Sequence, residues 1–362
     1  MNILIISGYF YPENTPRSFR TTELVKQLIC NGHQVKLIIP ERYTDYSDFQ
    51  KLYPIEMAFY KKCEGTRRFT GLSLLDRIIY RFLDQFLEYP HYSIMGALKP
   101  LLRKEVKVYD LLITIAVPHP IHWAVGKEYE KGHKLAKKWV ADCGDPFMLS
   151  ESRGYRPQPY FKNFETRWCR LCDYITVPTK TSYKGYYPEF WDKIKVIPQA
   201  FNFDEIVRGE YKPHTVPTFA FSGAFIPGRR DPRPILRYLV STGQDFKAYF
   251  YTQQKALLAE FIDVLGDKLV VKDYVPRLEL LKFLSTMDFL LNIENGVVAQ
   301  TPSKLIDYGL TGRPILSLNS MKLNTDLLNQ FMKGDYSNQY VVEDINRYNI
   351  KIVAKQFTDL AN

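Results

Sequence analysis

Cysteine is scarce in this chain, with five among 362 residues, an odd and scattered set. Such a set builds no disulfide framework. Only Cys169 and Cys172 have CxxC spacing, and no second pair or nearby histidine cluster completes a zinc site. Their spacing suits one face of a helix, so core packing is expected. Apolar runs of roughly 20 residues, the length that crosses a bilayer, are also lacking. The opening Met1–Ile6 has no basic n-region or cleavage site and reads as a first strand, so a cytoplasmic protein is expected. The first strand–loop–helix lacks GxGxxG, which argues against a dinucleotide. Recognisable nucleic-acid modules are missing as well, although 15% aromatics and a net charge of +10 would suit one. No nucleic acid is therefore expected as a partner. No acid stands in a DxD pattern, so no bound metal is demanded.

What is present is length, a core and positive charge. A chain of 362 residues suits two domains, and 46% hydrophobic residues supply their cores. The basic excess favours an anionic partner such as a membrane surface or a phosphorylated substrate.

Short apolar runs alternate with longer amphipathic ones, the pattern of an α/β protein with parallel sheets. Strands are predicted at 2–7, 34–40, 111–116, 139–143, 174–178 and 194–197. The loop "RGEYKPHTVPT" (208–218) then interrupts the pattern with two prolines and few apolar residues. Strands resume at 218–222, 246–251, 269–275, 289–293 and 315–318, separated by helices such as "RPILRYLVST" and "RLELLKFLST". Two doubly wound domains of similar size follow. Open sheets of this kind bind ligands at the carboxyl ends of their strands.

"AQTPSKLIDYGLTGRPILSL" (299–318) focuses the question of function. Thr301-Pro302-Ser303 reads as a helix start, Lys304–Tyr308 as the helix, and Gly312-Arg313-Pro314 as its stop. A helix N-terminus offers free N–H groups and partial positive charge to an anion. Thr301, Ser303 and Lys304 there suit a phosphate, and Asp307 one turn on suits a sugar hydroxyl.

The order of segments carries a resemblance. "ISGYFYPENTPRSFRTTELVKQLICNGHQVKLIIP", "IAVPHPIHWAV", "WVADCGDPF", "DYITVPT", "IKVIPQAFN", "FSGAFIPGRRDP", "DYVPRLELLKFLSTMDFLLNI" and "TPSKLIDYGLTGRPIL" follow one another along most of the chain. In that order they resemble the retaining glycosyltransferases of family 4, in a subset with a PSKL-type donor loop. The resemblance implies the GT-B fold: two Rossmann-like, doubly wound parallel-sheet domains facing a central cleft. We expect an acceptor-binding domain at 1–208 and a nucleotide-sugar domain at 209–345. The C-terminal helix at 346–362 is expected to pack back on the first.

Two departures stand out. The family's first loop is glycine-rich, whereas here it carries Asn14, Thr15 and Arg17. The family also pairs two Glu eight positions apart; Asp307 occupies the second position, but Ala299 the first.

The resemblance assigns roles residue by residue. Arg229 or Arg230, in the loop after the 218–222 strand, contacts the donor phosphates together with Thr301, Ser303 and Lys304. Asp307 takes the ribose hydroxyls. Tyr274 and Val275 lie beside the base. On the first domain, His119 is preferred over His122 for the bond-breaking step, since histidine titrates near neutral pH. Asp142 and Asp145 are candidates for holding the acceptor or acting as base. No metal and no cofactor are implied beyond the nucleotide sugar, a UDP-sugar being favoured.

Residues 61–107 mix large apolar side chains with ten Lys/Arg against five Asp/Glu, and 126–138 adds five lysines. Basic amphipathic segments bind anionic membrane interfaces. The implied enzyme is a cytoplasmic, peripheral-membrane hexosyl- or N-acetylhexosaminyl-type transferase. Its acceptor would be a glycan, polyprenyl-linked, in surface polysaccharide or glycolipid assembly. Two alternatives stay open: a non-catalytic nucleotide-sugar or lipid-glycan binding protein, and a GT-B nucleotide-sugar epimerase.

Overall fold

The computed structural model describes residues 1–61, 74–150, 157–294 and 303–362. The chain forms two compact units, Met1–Phe201 with Arg347–Asn362, and Asn202–Asn346.

The first unit holds a sheet of seven strands: β1 (Asn2–Ser7), β2 (Gln34–Pro40), β3 (Glu56–Tyr60), β4 (Tyr109–Ala116), β5 (Ala136–Cys143), β6 (Tyr174–Val177) and β7 (Ile194–Val196). Their order is β3-β2-β1-β4-β5-β6-β7, and every pairing is parallel. Its helices are α1 (Pro16–Cys30), α2 (Ser47–Leu52), α3 (Leu74–Leu87), α4 (Ile94–Lys104), α5 (Pro120–Tyr129) and α6 (Phe161–Leu171). The central strands are apolar at nearly every position because both sheet faces are covered. Leu4, Ile6 and Leu112 enter one core, and Ile3, Ile5, Leu111 and Ile113 the other. Each such side chain contributes about 1.5–3 kcal/mol on burial. Cys169 and Cys172 are buried in the first of these cores, as their helical spacing suggests.

The second unit holds five parallel strands: β8 (Thr218–Ser222), β9 (Lys247–Tyr251), β10 (Leu269–Lys272), β11 (Phe289–Ile293) and β12 (Ile315–Leu318), in the order β10-β9-β8-β11-β12. Its helices are α7 (Arg233–Thr242), α8 (Ala259–Leu265), α9 (Arg277–Leu284), α10 (Ser303–Thr311) and α11 (Thr325–Met332). A last helix, α12 (Ile350–Asp359), belongs to the first unit, where Phe357 lies under the Arg20 guanidinium of α1 at 4.9 Å.

Beyond shifts of a few residues at several strand ends, two details differ from the sequence pattern. The short edge strand β3, "EMAFY", was not predicted; with two partly covered apolar positions its alternation is weak. The change of unit falls at Phe201/Asn202, ahead of the proline loop, because that loop is tied to the second unit. Arg208 Nε donates to the Leu310 carbonyl, and the Gly209 N–H donates to Ser285 Oγ.

Candidate functional site

Strand order reverses between β8 and β11 in the second unit, the place where open parallel sheets of this kind take their ligands. The loop after β8 begins at Gly223, whose φ of +142° suits glycine. A Cβ there would lie 3.8 Å from Lys304 Cδ, so this loop and the start of α10 are in contact. Tyr308 ties them further: its hydroxyl accepts from the Ser222 N–H at 2.8 Å.

Lys304 is the unusual group at this point. Its Nζ is buried, has no hydrogen-bond partner among the described residues, and stands 4.6 Å from the centre of the Phe221 ring. Burial, and then the charge of Arg230, push its pKa well below the ordinary lysine value. The side chain as a whole is half-buried, but its charge-bearing atom is out of water. An unpaired buried cation costs free energy unless an anion completes it.

Arg229 and Arg230 separate here. Arg230 is half-buried, donates from Nη1 to the Ala224 carbonyl at 3.2 Å, and leaves a buried Nε without a partner. Arg229 is exposed and lines a depression of about 210 Å³ with Gly228, Asn319, Met321 and Lys322. Arg230 is therefore the one near Lys304. Ser303 opens α10, and Thr301 and Ala299 lie outside the described residues.

Asp307 is half-buried one turn into α10. Arg277, the first residue of α9, donates to its Oδ1 from Nε at 3.0 Å and from Nη2 at 2.6 Å. Burial raises the Asp307 pKa, and Arg277 opposes that rise. Beyond β10, Tyr274 is 72% exposed and Val275 half-buried, so an aromatic face is open at a strand's carboxyl end.

In the first unit the reversal lies between β1 and β4. Here the loop after β1 touches the loop after β4: a Cβ on Gly8 would fall 2.3 Å from Pro118 Cδ. Thr15 caps α1 by accepting from the Ser18 N–H at 3.1 Å, and Asn14 is exposed. The Arg17 guanidinium lies flat over Gly144, where a Cβ would come within 2.0 Å of Nη2. Burial lowers the Arg17 pKa, with Asp142 opposing.

The acids and histidines expected to act in chemistry have different settings. Asp142 is buried and held from several sides. Arg20 Nε reaches its Oδ2 at 3.1 Å, while Arg20 Nη2 and Thr176 Oγ1 reach Oδ1 at 2.9 and 2.7 Å. Burial alone would raise its pKa, but Arg20, Arg17 and Thr176 outweigh burial and lower it. Asp142, a candidate for holding the acceptor or acting as base, is thus a paired carboxylate joining α1, β5 and β6. Asp145 is exposed two residues past the strand.

His122 is sealed in the core. Its Nδ1 lies 2.8 Å from Thr114 Oγ1 and its Nε2 3.3 Å from Cys143 Sγ. Burial drives its pKa down to about 3, so it is neutral at physiological pH. A group so hard to protonate is unsuited to giving up a proton near neutral pH. His119, the N-cap residue of α5, is also buried, with its ring 5.1 Å from that of Phe147.

Sequence reasoning missed Arg20, Arg277 and Tyr308, which reach their partners across the fold. Only Gly144, inside "ADCGDPF", carried a local sign of close packing. Among the described residues no three His, Cys, Asp or Glu side chains converge as a metal site.

No protein-family model and no curated protein matches this sequence. Solved structures do share its fold. The apo form of the lipopolysaccharide outer core galactosyltransferase WaaB superposes with a TM-score of 0.60 at 12% identity, over 99% of both chains. A glycosyltransferase from Rickettsia africae ESF-5 gives 0.59 at 11%, over 99% of this chain and 97% of its own. UDP-GlcNAc 2-epimerase from Neisseria meningitidis, bound to UDP-GlcNAc, gives 0.58 at 13%, over 99% of both. With the two parallel sheets, these likenesses show the GT-B fold.

Proposed function

We propose that the protein is a glycosyltransferase that takes its sugar from a nucleotide-diphosphate donor held by the second unit. One observation carries the reading: the buried Nζ of Lys304, unpartnered among the described residues, beside Arg230 at the strand-order reversal. A diphosphate supplies the missing anion. It is also the leaving group, and the negative charge that grows on it in the transition state is what preorganised cations stabilise. Arg230 and Lys304 hold that charge, so the reaction requires no divalent metal. Asp307 accepts from the ribose, and the exposed Tyr274 ring with Val275 flanks the base. His119 is assigned to the reacting sugar and Asp145 to the acceptor. Transfer proceeds with retention, from a UDP-sugar by preference, and moves a hexosyl or N-acetylhexosaminyl group.

The acceptor is a polyprenyl-linked glycan in surface polysaccharide or glycolipid assembly, reached at the cytoplasmic face of the membrane. On α3, Ile78, Ile79 and Phe82 are 57%, 49% and 56% exposed, in a segment with a twofold excess of basic residues. That supports a peripheral, anionic-membrane location. Among the described residues no helix is long and apolar enough to cross a membrane.

A thermal-shift panel over UDP-, GDP- and dTDP-sugars tests the donor. One donor should stabilise the chain by about 2.7 kcal/mol at a hundredfold excess over Kd. NMR of the stabilising donor then follows slow release of nucleotide without acceptor, with retained anomeric configuration in transfer products. Conversion of the sugar while still attached to nucleotide would instead mark an epimerase. Binding without any turnover, even with lipid-linked acceptors, would mark a binding protein.

A further inference from the structure

The Asp307–Arg277 contact asks for an explanation beyond donor binding in general. Two donors of Arg277 converge on a single oxygen, Oδ1, while among the described residues no donor reaches Oδ2. The two residues come from different helices, and α9 and α10 share a core through Leu284 and Leu305. A carboxylate gripped through one oxygen is fixed in rotation as well as in charge. Its second oxygen then faces a set direction.

We propose that Arg277 is a positioning residue for ribose recognition, anchoring Oδ1 of Asp307 so that Oδ2 is presented to the sugar hydroxyls of the donor nucleotide. The inference rests on the donor reading given above. Burial works against the charged carboxylate and Arg277 opposes that effect, so without Arg277 the group would be free to turn and its charged form less favoured. The local sequence allows the anchor: Pro276 precedes α9 as its N-cap, and Arg277 follows at the first helical position, beside the open face of Tyr274. A simple tie between two helices is the competing account, and it differs in what it predicts for ligands.

The experiment uses whichever of UDP, GDP and ADP gives the largest thermal shift with the full-length protein, and its 2′,3′-dideoxy analogue. Calorimetry is run on wild type, Arg277→Ala, Arg277→Lys, Asp307→Asn and the double variant Arg277→Ala/Asp307→Asn. Arg277→Ala should weaken the ribonucleotide by roughly tenfold to a hundredfold and leave the dideoxy analogue within a few-fold of wild type. Arg277→Lys should recover part of that loss. In the Asp307→Asn background, Arg277→Ala should cost nothing further, because the two residues act as one unit. Equal losses for both ligands, or additive losses in the double variant, would overturn the inference. An affected Asp307→Asn with an unaffected Arg277→Ala overturns it alone and leaves the donor reading standing. An unaffected Asp307→Asn removes the ribose assignment and the inference with it. If none of the three nucleotides binds the wild-type chain, the donor reading itself falls.

Discussion

Replacing Lys304 with methionine should push stability and ligand affinity in opposite directions. Methionine keeps the length and the apolar stem that lies along Gly223 and over Phe221, while removing the buried ammonium. An unsatisfied buried polar group costs about 1–3 kcal/mol. The ligand-free variant should therefore gain stability of that order. In a domain of 150–250 residues each 1 kcal/mol moves Tm by about 2–4 °C. Affinity for the nucleoside diphosphate should fall by about 1.5–3 kcal/mol, the worth of a charge-assisted hydrogen bond, or roughly tenfold to 150-fold. The nucleoside, which lacks phosphate, should bind as before. A variant with unchanged Tm and unchanged diphosphate affinity would refute the reasoning that Lys304 is an unfilled anion site.

Arg20→Ala leaves the buried Asp142 with only Thr176 and the more distant Arg17 to offset its charge and should cost about 3–5 kcal/mol in urea unfolding; a loss below about 1 kcal/mol would show the pair to be expendable. His122 has a pKa of about 3 when folded and about 6.5 when unfolded. Between those values the unfolded chain binds the extra proton, so stability falls as pH drops from about 6.5 toward 3, by up to about 1.4 kcal/mol per pH unit from this group. Denaturation across that range should show a flatter slope in His122→Gln, and identical slopes would contradict the buried, neutral assignment. Ile78→Glu with Phe82→Glu should sharply reduce co-sedimentation with phosphatidylglycerol-containing vesicles; unchanged binding would take α3 out of any membrane contact.

Much of this architecture was legible along the chain. Strands β1, β2, β8, β11 and β12 begin and end at the predicted residues, because strands of a parallel sheet covered on both faces are uninterrupted apolar runs. The helix "RPILRYLVST" coincides with α7, which stops at Gly243 in the left-handed conformation that glycine favours. Strand β3 escaped because an edge strand is covered on fewer sides and its pattern weakens. Grouping Lys304 and Asp307 needed only helical spacing, and placing Arg230 in the loop after a strand needed only the alternation of strands and loops.

The sequence did not carry which of two neighbouring arginines turns inward, that both histidines are buried, or which aspartate is enclosed by the core. Arg229 and Arg230 are chemically identical; the loop's path separates them, with the Arg229 N–H bonded to Ile226 and Arg230 directed toward Lys304. Asp142 and Asp145 differ by three positions, yet Arg20, 122 residues from Asp142, turns the first into a structural carboxylate. His122 is neutral because Thr114, Cys143 and Trp168 close around it. Charge state and access depend on desolvation and on partners remote along the chain. Periodicity reports which face of an element is buried, and only the tertiary structure decides what that face meets.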